Sequence, residues 1–176
     1  MDYQVIDNFL PDQTLRELQE LIVWNNEFPF ALKQHVANGP SSDKFDKSIE
    51  IQNWSWYGIH QLYNHIPHSP LCNSTTAIFL EQFEKLEVVK ALIRSKVNFY
   101  PWTDKVYEHA KHSDYPYEHK AAVYSLNTCD GYTRMPNGDK VDSVANRIVL
   151  FDGSKPHASS TTSNAKGRFN INFNWV

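Results

Sequence analysis

GRFNINFNW, residues 167–175, alternates without a break: Arg168, Asn170, Asn172 and Asn174 occupy one parity, and Phe169, Ile171, Phe173 and Trp175 the other. A period of two is the period of a β-strand, so each set shares one face. The aromatic and aliphatic set requires a dry core to pack on. The other set must look into water or a ligand-filled space, because four polar side chains are costly against a dry core. A guanidinium on that face is built to meet a carboxylate through two parallel hydrogen bonds. Arg168 therefore either anchors an acidic ligand or forms a salt bridge with an acidic residue of the chain.

Reading outward, the region after Lys96 consists of short β-type runs (KVNFY, AAVYSLN, NRIVLF) separated by DG, NG, DG and KP turns, the texture of an all-β sandwich or barrel. The N-terminal half differs. A short strand is expected at 3–6, followed by a helix that opens at Pro11 and carries Leu15, Leu18 and Ile22 on one face. The spacing of Phe79, Phe83 and Leu86 predicts a second helix over 76–95, capped by Thr75 or Thr76. These two helices are expected to support the β-rich part. Polar segments 35–48 and 101–119 read as loops over an opening.

With 176 residues, 41% of them hydrophobic, the chain suits one domain with one core. The expectation is a single domain over 1–176, with 1–96 as strand and supporting helices and 97–176 as the catalytic core. The opening MDYQVIDNFLPDQ has no signal-peptide character and no apolar run approaches a membrane span, which predicts a soluble, cytoplasmic protein. Cys72 and Cys129 read as reduced thiols. A net charge of −3 argues against a nucleic-acid partner. The cluster Trp54, Trp56 and Tyr57 either stacks a base or sugar or forms core and pocket wall.

His112-Ser113-Asp114 places two metal-binding groups two residues apart, and an extended backbone points both the same way. His157, after NRIVLFDG and a Ser-Lys-Pro turn, is positioned to return toward them. Two imidazoles and one carboxylate on one face leave coordination positions open, as a non-haem iron oxygenase needs. By itself a His-x-Asp triplet is also compatible with a surface loop. His109 and His119 read as lid or outer residues, and His35, His60, His65 and His68 as surface histidines.

Together these segments resemble the prolyl-4-hydroxylase-like group of 2-oxoglutarate/iron(II) dioxygenases, in the compact form of viral and bacterial sequences. NFY at 98–100, HSD at 112–114, YSLNTCDGYT, NRIVLFDGSKPH and GRFNINFNW follow in the family's order, and YQVIDNFLPDQTLRELQELI resembles its first strand and helix. The resemblance implies a mainly β fold, a double-stranded β-helix or jelly roll with N-terminal supporting helices. It implies Fe(II) held by His112, Asp114 and His157, with 2-oxoglutarate anchored by Arg168 and dioxygen as oxidant, ascorbate being an accessory reductant. Asn170 stands where relatives have Ser or Thr, Ser125 where many have a tyrosine, and Tyr100 matches an oxoacid-pocket tyrosine; Asn127 shares the parity of Ser125. For Tyr100 a plain core position, and for Asn127 a turn position, are the equal alternatives. The implied reaction is hydroxylation of an organic substrate with release of succinate and carbon dioxide. The expected substrate is a peptide or protein side chain, with Tyr107, Tyr115, Tyr117, Trp54 and Trp56 as contacts. Alternatives are a small-molecule substrate, a nucleic-acid demethylase, and a non-catalytic metal- or oxoacid-binding barrel. For a viral protein the compartment is the host-cell cytoplasm.

Overall fold

The computed structural model describes residues 3–36, 54–87 and 89–176. Along the chain these form β1 (Tyr3–Ile6), α1 (Asp12–Leu18) running into a π-helical turn (Gln19–Val23), β2 (Ala31–Lys33), β3 (Tyr57–Asn64), β4 (Ile66–Pro67) and α2 (Cys72–Leu86). After them come β5 (Leu92–Pro101), β6 (Lys120–Ser125), β7 (Tyr132–Arg134), β8 (Lys140–Asp142), β9 (Arg147–Asp152), β10 (Ala158–Ser159) and β11 (Gly167–Trp175). The larger sheet is 8-stranded, in the order β1-β9-β6-β11-β5-β3-β2 with β4 on β3, and a 3-stranded sheet runs β10-β7-β8. Every strand pair is antiparallel.

The alternating segment is strand β11, bonded on both sides, and its parity sorts the molecule. Ile171, Phe173 and Trp175 join the core with Phe79 and Phe83 of α2 and Leu18 and Ile22 of the first helical segment. Phe79 meets Phe173 at 4.6 Å between ring centroids, and Phe83 stacks on Trp175 at 4.7 Å. These aromatic contacts hold the helical layer to one face of the sheet. The other parity is also buried: Arg168, Asn170, Asn172 and Asn174 are each 5% exposed or less. Directly across from them stand Tyr100, Asn98, Lys96 and Arg94 of β5, and Ser125 and Val123 of β6. Opposed residues in a ladder share a face, so polar groups from three strands converge on one wall.

The second helix differs from the sequence expectation. It begins at Cys72 and ends at Leu86, with Thr75 and Thr76 buried inside it rather than capping it. Residues 92–95 belong to β5, where they pair with β11 at Trp175, Asn174 and Phe173. Local spacing in 76–95 suits a helix, but a ladder partner supplied from the C-terminus overrides it. Leu86, grouped with Phe79 and Phe83 by its spacing, is 45% exposed at the helix end. Sheet strands β2 and β3 also arise from the N-terminal half, and the change of texture expected at Lys96 falls within β5. Most of segment 35–48 lies outside the described residues; 102–119 is irregular, tied down by isolated bridges such as His112 with His157.

Asn146 closes the turn before β9 and fastens the N-terminal segment. It has φ of 65°, a left-handed conformation that asparagine tolerates better than most residues. Its Oδ1 accepts from Leu10 N and Tyr124 Oη, both at 2.9 Å, and its Nδ2 donates to Leu10 O at 2.7 Å. Asn146→Ala strands all three groups in the core, with an expected loss of about 2–4 kcal/mol in urea unfolding. A loss below about 0.5 kcal/mol would show that this fastening is dispensable.

Candidate active site

His112 and His157 face each other across a two-way backbone bridge, His112 N to His157 O and His157 N to His112 O, both 2.9 Å. The bridge makes 112–114 an extended edge, so His112 and Asp114 point the same way. Asp114 is held there by its own N–H, which donates to Gly153 O at 3.1 Å. One ligand atom from each of His112, Asp114 and His157 lies within 4.8 Å of the others. The His157 Nδ1–H donates to Lys155 O at 3.0 Å, and the His112 Nδ1 lies 3.4 Å from Ala110 O. Backbone carbonyls thus occupy the Nδ1 sides and leave the Nε2 atoms for a metal, with His157 Nε2 3.9 Å from Asp114 Oδ2.

Charge states suit the same purpose. Burial, then the neighbouring His157, pulls His112 down to about 4, and burial also lowers His157. Both imidazoles are neutral at pH 7. Burial by itself would raise the Asp114 carboxyl, but the charges of Arg94 and Lys96, with a hydrogen bond from Asn174, hold it well below the usual range. Arg94 Nη2 contacts Asp114 Oδ1 at 2.6 Å and Asn174 Nδ2 donates to Oδ2 at 2.8 Å. Two neutral nitrogens and one oriented carboxylate fit a divalent transition metal.

Two adjoining cavities of about 40 and 280 Å³ share the lining residues Lys96, Tyr100, His112 and Asp114. The narrower one runs along the polar face of β11 to Arg168, Asn170 and Asn172. The wider one opens toward His35, Val36, Tyr57 and Arg94. A groove of about 560 Å³ between α2, β6 and β9 is larger. Its charges are already paired, Lys120 with Glu87 and Lys155 with Asp152, so chemistry rather than size selects the smaller pair of cavities.

Arg168 is 1% exposed, and no acidic side chain among the described residues pairs with it. Its guanidinium donates to Thr133 Oγ1 at 2.8 Å and Ser160 O at 3.3 Å, lies 5.6 Å from the Tyr100 ring, and leaves Nε without a partner. Burial lowers its proton affinity. The salt-bridge alternative therefore finds no partner. Gly131 makes room for this side chain: a Cβ there would come within 2.7 Å of Arg168 Cδ and 2.6 Å of Thr161 O.

The remaining sequence candidates divide. Tyr100 and Asn170 line the narrow cavity, and Asn170 Oδ1 accepts from Asn98 Nδ2 at 2.9 Å. Ser125 shares the face of Asn170 but does not line the cavity, which Val123 reaches instead. Asn127 is turned elsewhere. Its Nδ2 donates to Gly167 O and its Oδ1 accepts from Phe169 N, at 2.9 and 2.8 Å, so it clasps the start of β11 and has no free group for a ligand. His109 is buried beside Tyr100 with Nδ1 on Ser159 Oγ, and His119 is buried near Gly153; neither belongs to the chelating set. His35, read as a surface histidine, lines the wider cavity. Trp54 stacks on Tyr107 at 4.8 Å and Tyr115 on Tyr117 at 5.4 Å; with Trp56 they stand outside the lining of both cavities. Arg94, Lys96, Asn98 and Thr133 complete the site without having been singled out in the sequence.

No family model matches the chain, and no curated protein matches its sequence. Solved structures do. An oxidoreductase of the 2OG-Fe(II) oxygenase family from Burkholderia pseudomallei superposes with a TM-score of 0.70 at 10% identity, over 99% of this chain and 84% of that one. A prolyl hydroxylase from Trichoplax adhaerens, in complex with a peptide fragment of the hypoxia-inducible factor oxygen degradation domain, gives 0.67 at 15% identity, covering 99% and 83%. HygX from Streptomyces hygroscopicus, with nickel, 2-oxoglutarate and hygromycin B bound, gives 0.61 at 9% identity, covering 99% and 82%. The fold is the jelly roll of these oxygenases, as the sequence led one to expect. Among the described residues no helix is long and apolar enough to cross a membrane.

The buried histidines make acid stability a reporter of the site. His112 and His109 both sit at about 4, His109 through burial and then the Arg168 charge, below the unfolded value near 6.5. A depressed folded value gives stability that is complete above pH 6.5 and lost as pH falls through 4. The metal-free protein should lose roughly 3 kcal/mol per histidine by pH 4. Urea midpoints from pH 7.5 to 4 measure this, and His112→Asn should flatten the slope; an identical slope in that variant would contradict the assignment.

Proposed function

We propose that this protein is an Fe(II)- and 2-oxoglutarate-dependent dioxygenase that hydroxylates an organic substrate. The observation that carries the reading is a buried guanidinium without a counter-anion among the described residues, on the same cavity wall as two neutral imidazoles and a carboxylate. Burying an unpaired cation costs several kcal/mol, and a dicarboxylate that chelates a metal at one end and meets Arg168 at the other removes that cost. His112, Asp114 and His157 would hold the iron. When bound, iron with the oxoacid and dioxygen supplies oxidative decarboxylation to succinate and carbon dioxide and the oxygen atom inserted into a C–H bond.

Each residue then has a defined task. Arg168 binds the far carboxylate in a charge-assisted pair, with Thr133 and Tyr100 fixing the guanidinium. Asn170 borders the path between that anchor and the metal. Arg94 and Asn174 aim the Asp114 carboxylate. For the substrate we favour a peptide or protein side chain, supported by the peptide bound to the Trichoplax neighbour. The antibiotic on HygX makes a small molecule the alternative. A net charge of −3 disfavours the demethylase reading.

Succinate release from 2-oxoglutarate under air with ferrous iron tests the proposal and separates it from a non-catalytic binder. The wild type should turn over, while His112→Ala, Asp114→Ala and His157→Ala should lose both metal and turnover. Arg168→Ala should keep the metal and need about a hundredfold more oxoglutarate, and Arg168→Lys should recover part of this, since the charge persists without the planar fork. Equal metal content in all variants, or unchanged oxoglutarate dependence in Arg168→Ala, would overturn the assignment.

A further inference from the structure

Lys96 is a cation at the site that neither the metal nor the oxoacid accounts for. It stands opposite Asn172, between the Arg94–Asn174 pair beside Asp114 and the Tyr100–Arg168 pair at the far end. Its side chain therefore faces the wall midway between the chelating set and the oxoacid anchor, and it lines both cavities. Arg94 is already engaged, with Asp114 at 2.6 Å and Asn172 at 3.3 Å. The Lys96 side chain makes no hydrogen bond or ion pair within 4 Å with any described residue. Its ammonium lies 5.7 Å from the centroid of the Tyr57 ring and within electrostatic reach of Asp114.

The charge balance makes this position informative. An oxoacid brings two carboxylates, and Asp114 is the only carboxylate lining either cavity among the described residues. Against these three anionic groups stand the divalent metal, Arg94, Lys96 and Arg168. Positive charge stays in excess with metal and cosubstrate in place, and the unmatched part lies where the wider cavity meets the metal ligands. Desolvation, then the Arg94 charge, pulls the half-buried Lys96 ammonium down to about 7, so an incoming anion stabilises its charged form where a neutral or cationic group does not.

We propose that Lys96 is a specificity-determining residue: it pairs with a carboxylate on the substrate, so that the wider cavity receives an acidic side chain of a peptide. This rests on the oxygenase reading of the site. Tyr57, His35 and Val36 form the remaining described wall of that cavity. Tyr57 limits the ammonium's other direction of approach, and the carboxylate would enter from the side of His35.

The test uses the full chain loaded with Ni(II) and 2-oxoglutarate, so that the metal site and Arg168 are both filled. N-acetyl N-methylamides of glutamate and aspartate, and of glutamine and asparagine, are titrated by ligand-observed NMR. The acidic probes should bind at least about tenfold more tightly than their amide counterparts. Lys96→Met, which preserves length and apolar volume, should erase that preference; Lys96→Arg should keep it. Equal or absent binding of acid and amide probes to the wild type would overturn the proposal, as would a preference that survives in Lys96→Met. A loss of oxoglutarate affinity in Lys96→Met as large as that in Arg168→Ala would overturn it too, by making Lys96 part of the oxoacid anchor. Failure of the wild type to retain oxoglutarate with nickel is a different outcome, which removes the oxygenase reading and this inference with it.

Discussion

A cation buried without an anion among the described residues is the constraint around which the site is built. Arg168 sits at 1% exposure on the central strand, contacting a hydroxyl, a carbonyl and an aromatic ring. Such a group costs stability unless a carboxylate arrives. The fold bears this cost because the opposite face of the same strand packs Ile171, Phe173 and Trp175 against α2. Fully burying side chains of this size contributes on the order of 2–3 kcal/mol each. Stability and function are thus divided between the two faces of β11, and the strand cannot slip by one residue without exchanging them.

The chelating set depends on a second constraint, the orientation of groups that must stay ready for a metal. Carbonyls of Lys155 and Ala110 lie beside the Nδ1 atoms, and Arg94 and Asn174 engage both oxygens of Asp114. Arg94 serves two roles here, since it orients the carboxylate and also partly cancels its charge. Lys96, two residues along β5, has no hydrogen bond to a carboxylate among the described residues although Asp114 lies within its electrostatic reach, and this sets the two neighbouring cations apart.

Strict alternation made β11 legible in the sequence, and with it the buried polar wall and Arg168. His112, Asp114 and His157 were legible because their chemistry is distinctive at short spacing. What escaped is set by tertiary pairing. The residues from Leu92 to Ser95 suit a helix locally and become strand because β11 lies alongside. Arg94 and Lys96 carry no motif, and only the register against Asn174 and Asn172 brings them to the site. For Asn127 parity left a ligand role and a turn role equally open, and the amide closes on the backbone of β11 where the strand has ended. Asn146 and Gly131 were invisible because one depends on a left-handed turn and the other on a neighbour far along the chain.

The central claim is that one cavity wall presents a metal to one end of an oxoacid and Arg168 to the other. Anaerobic addition of 2-oxoglutarate to the Fe(II)-loaded protein tests this without requiring a substrate, because chelation of iron by the keto and carboxylate oxygens gives a visible charge-transfer band. The account predicts a band that saturates at one oxoglutarate per iron and shifts to much higher oxoglutarate concentration in Arg168→Ala. A protein that binds iron through these residues and shows no band at saturating oxoglutarate would contradict it.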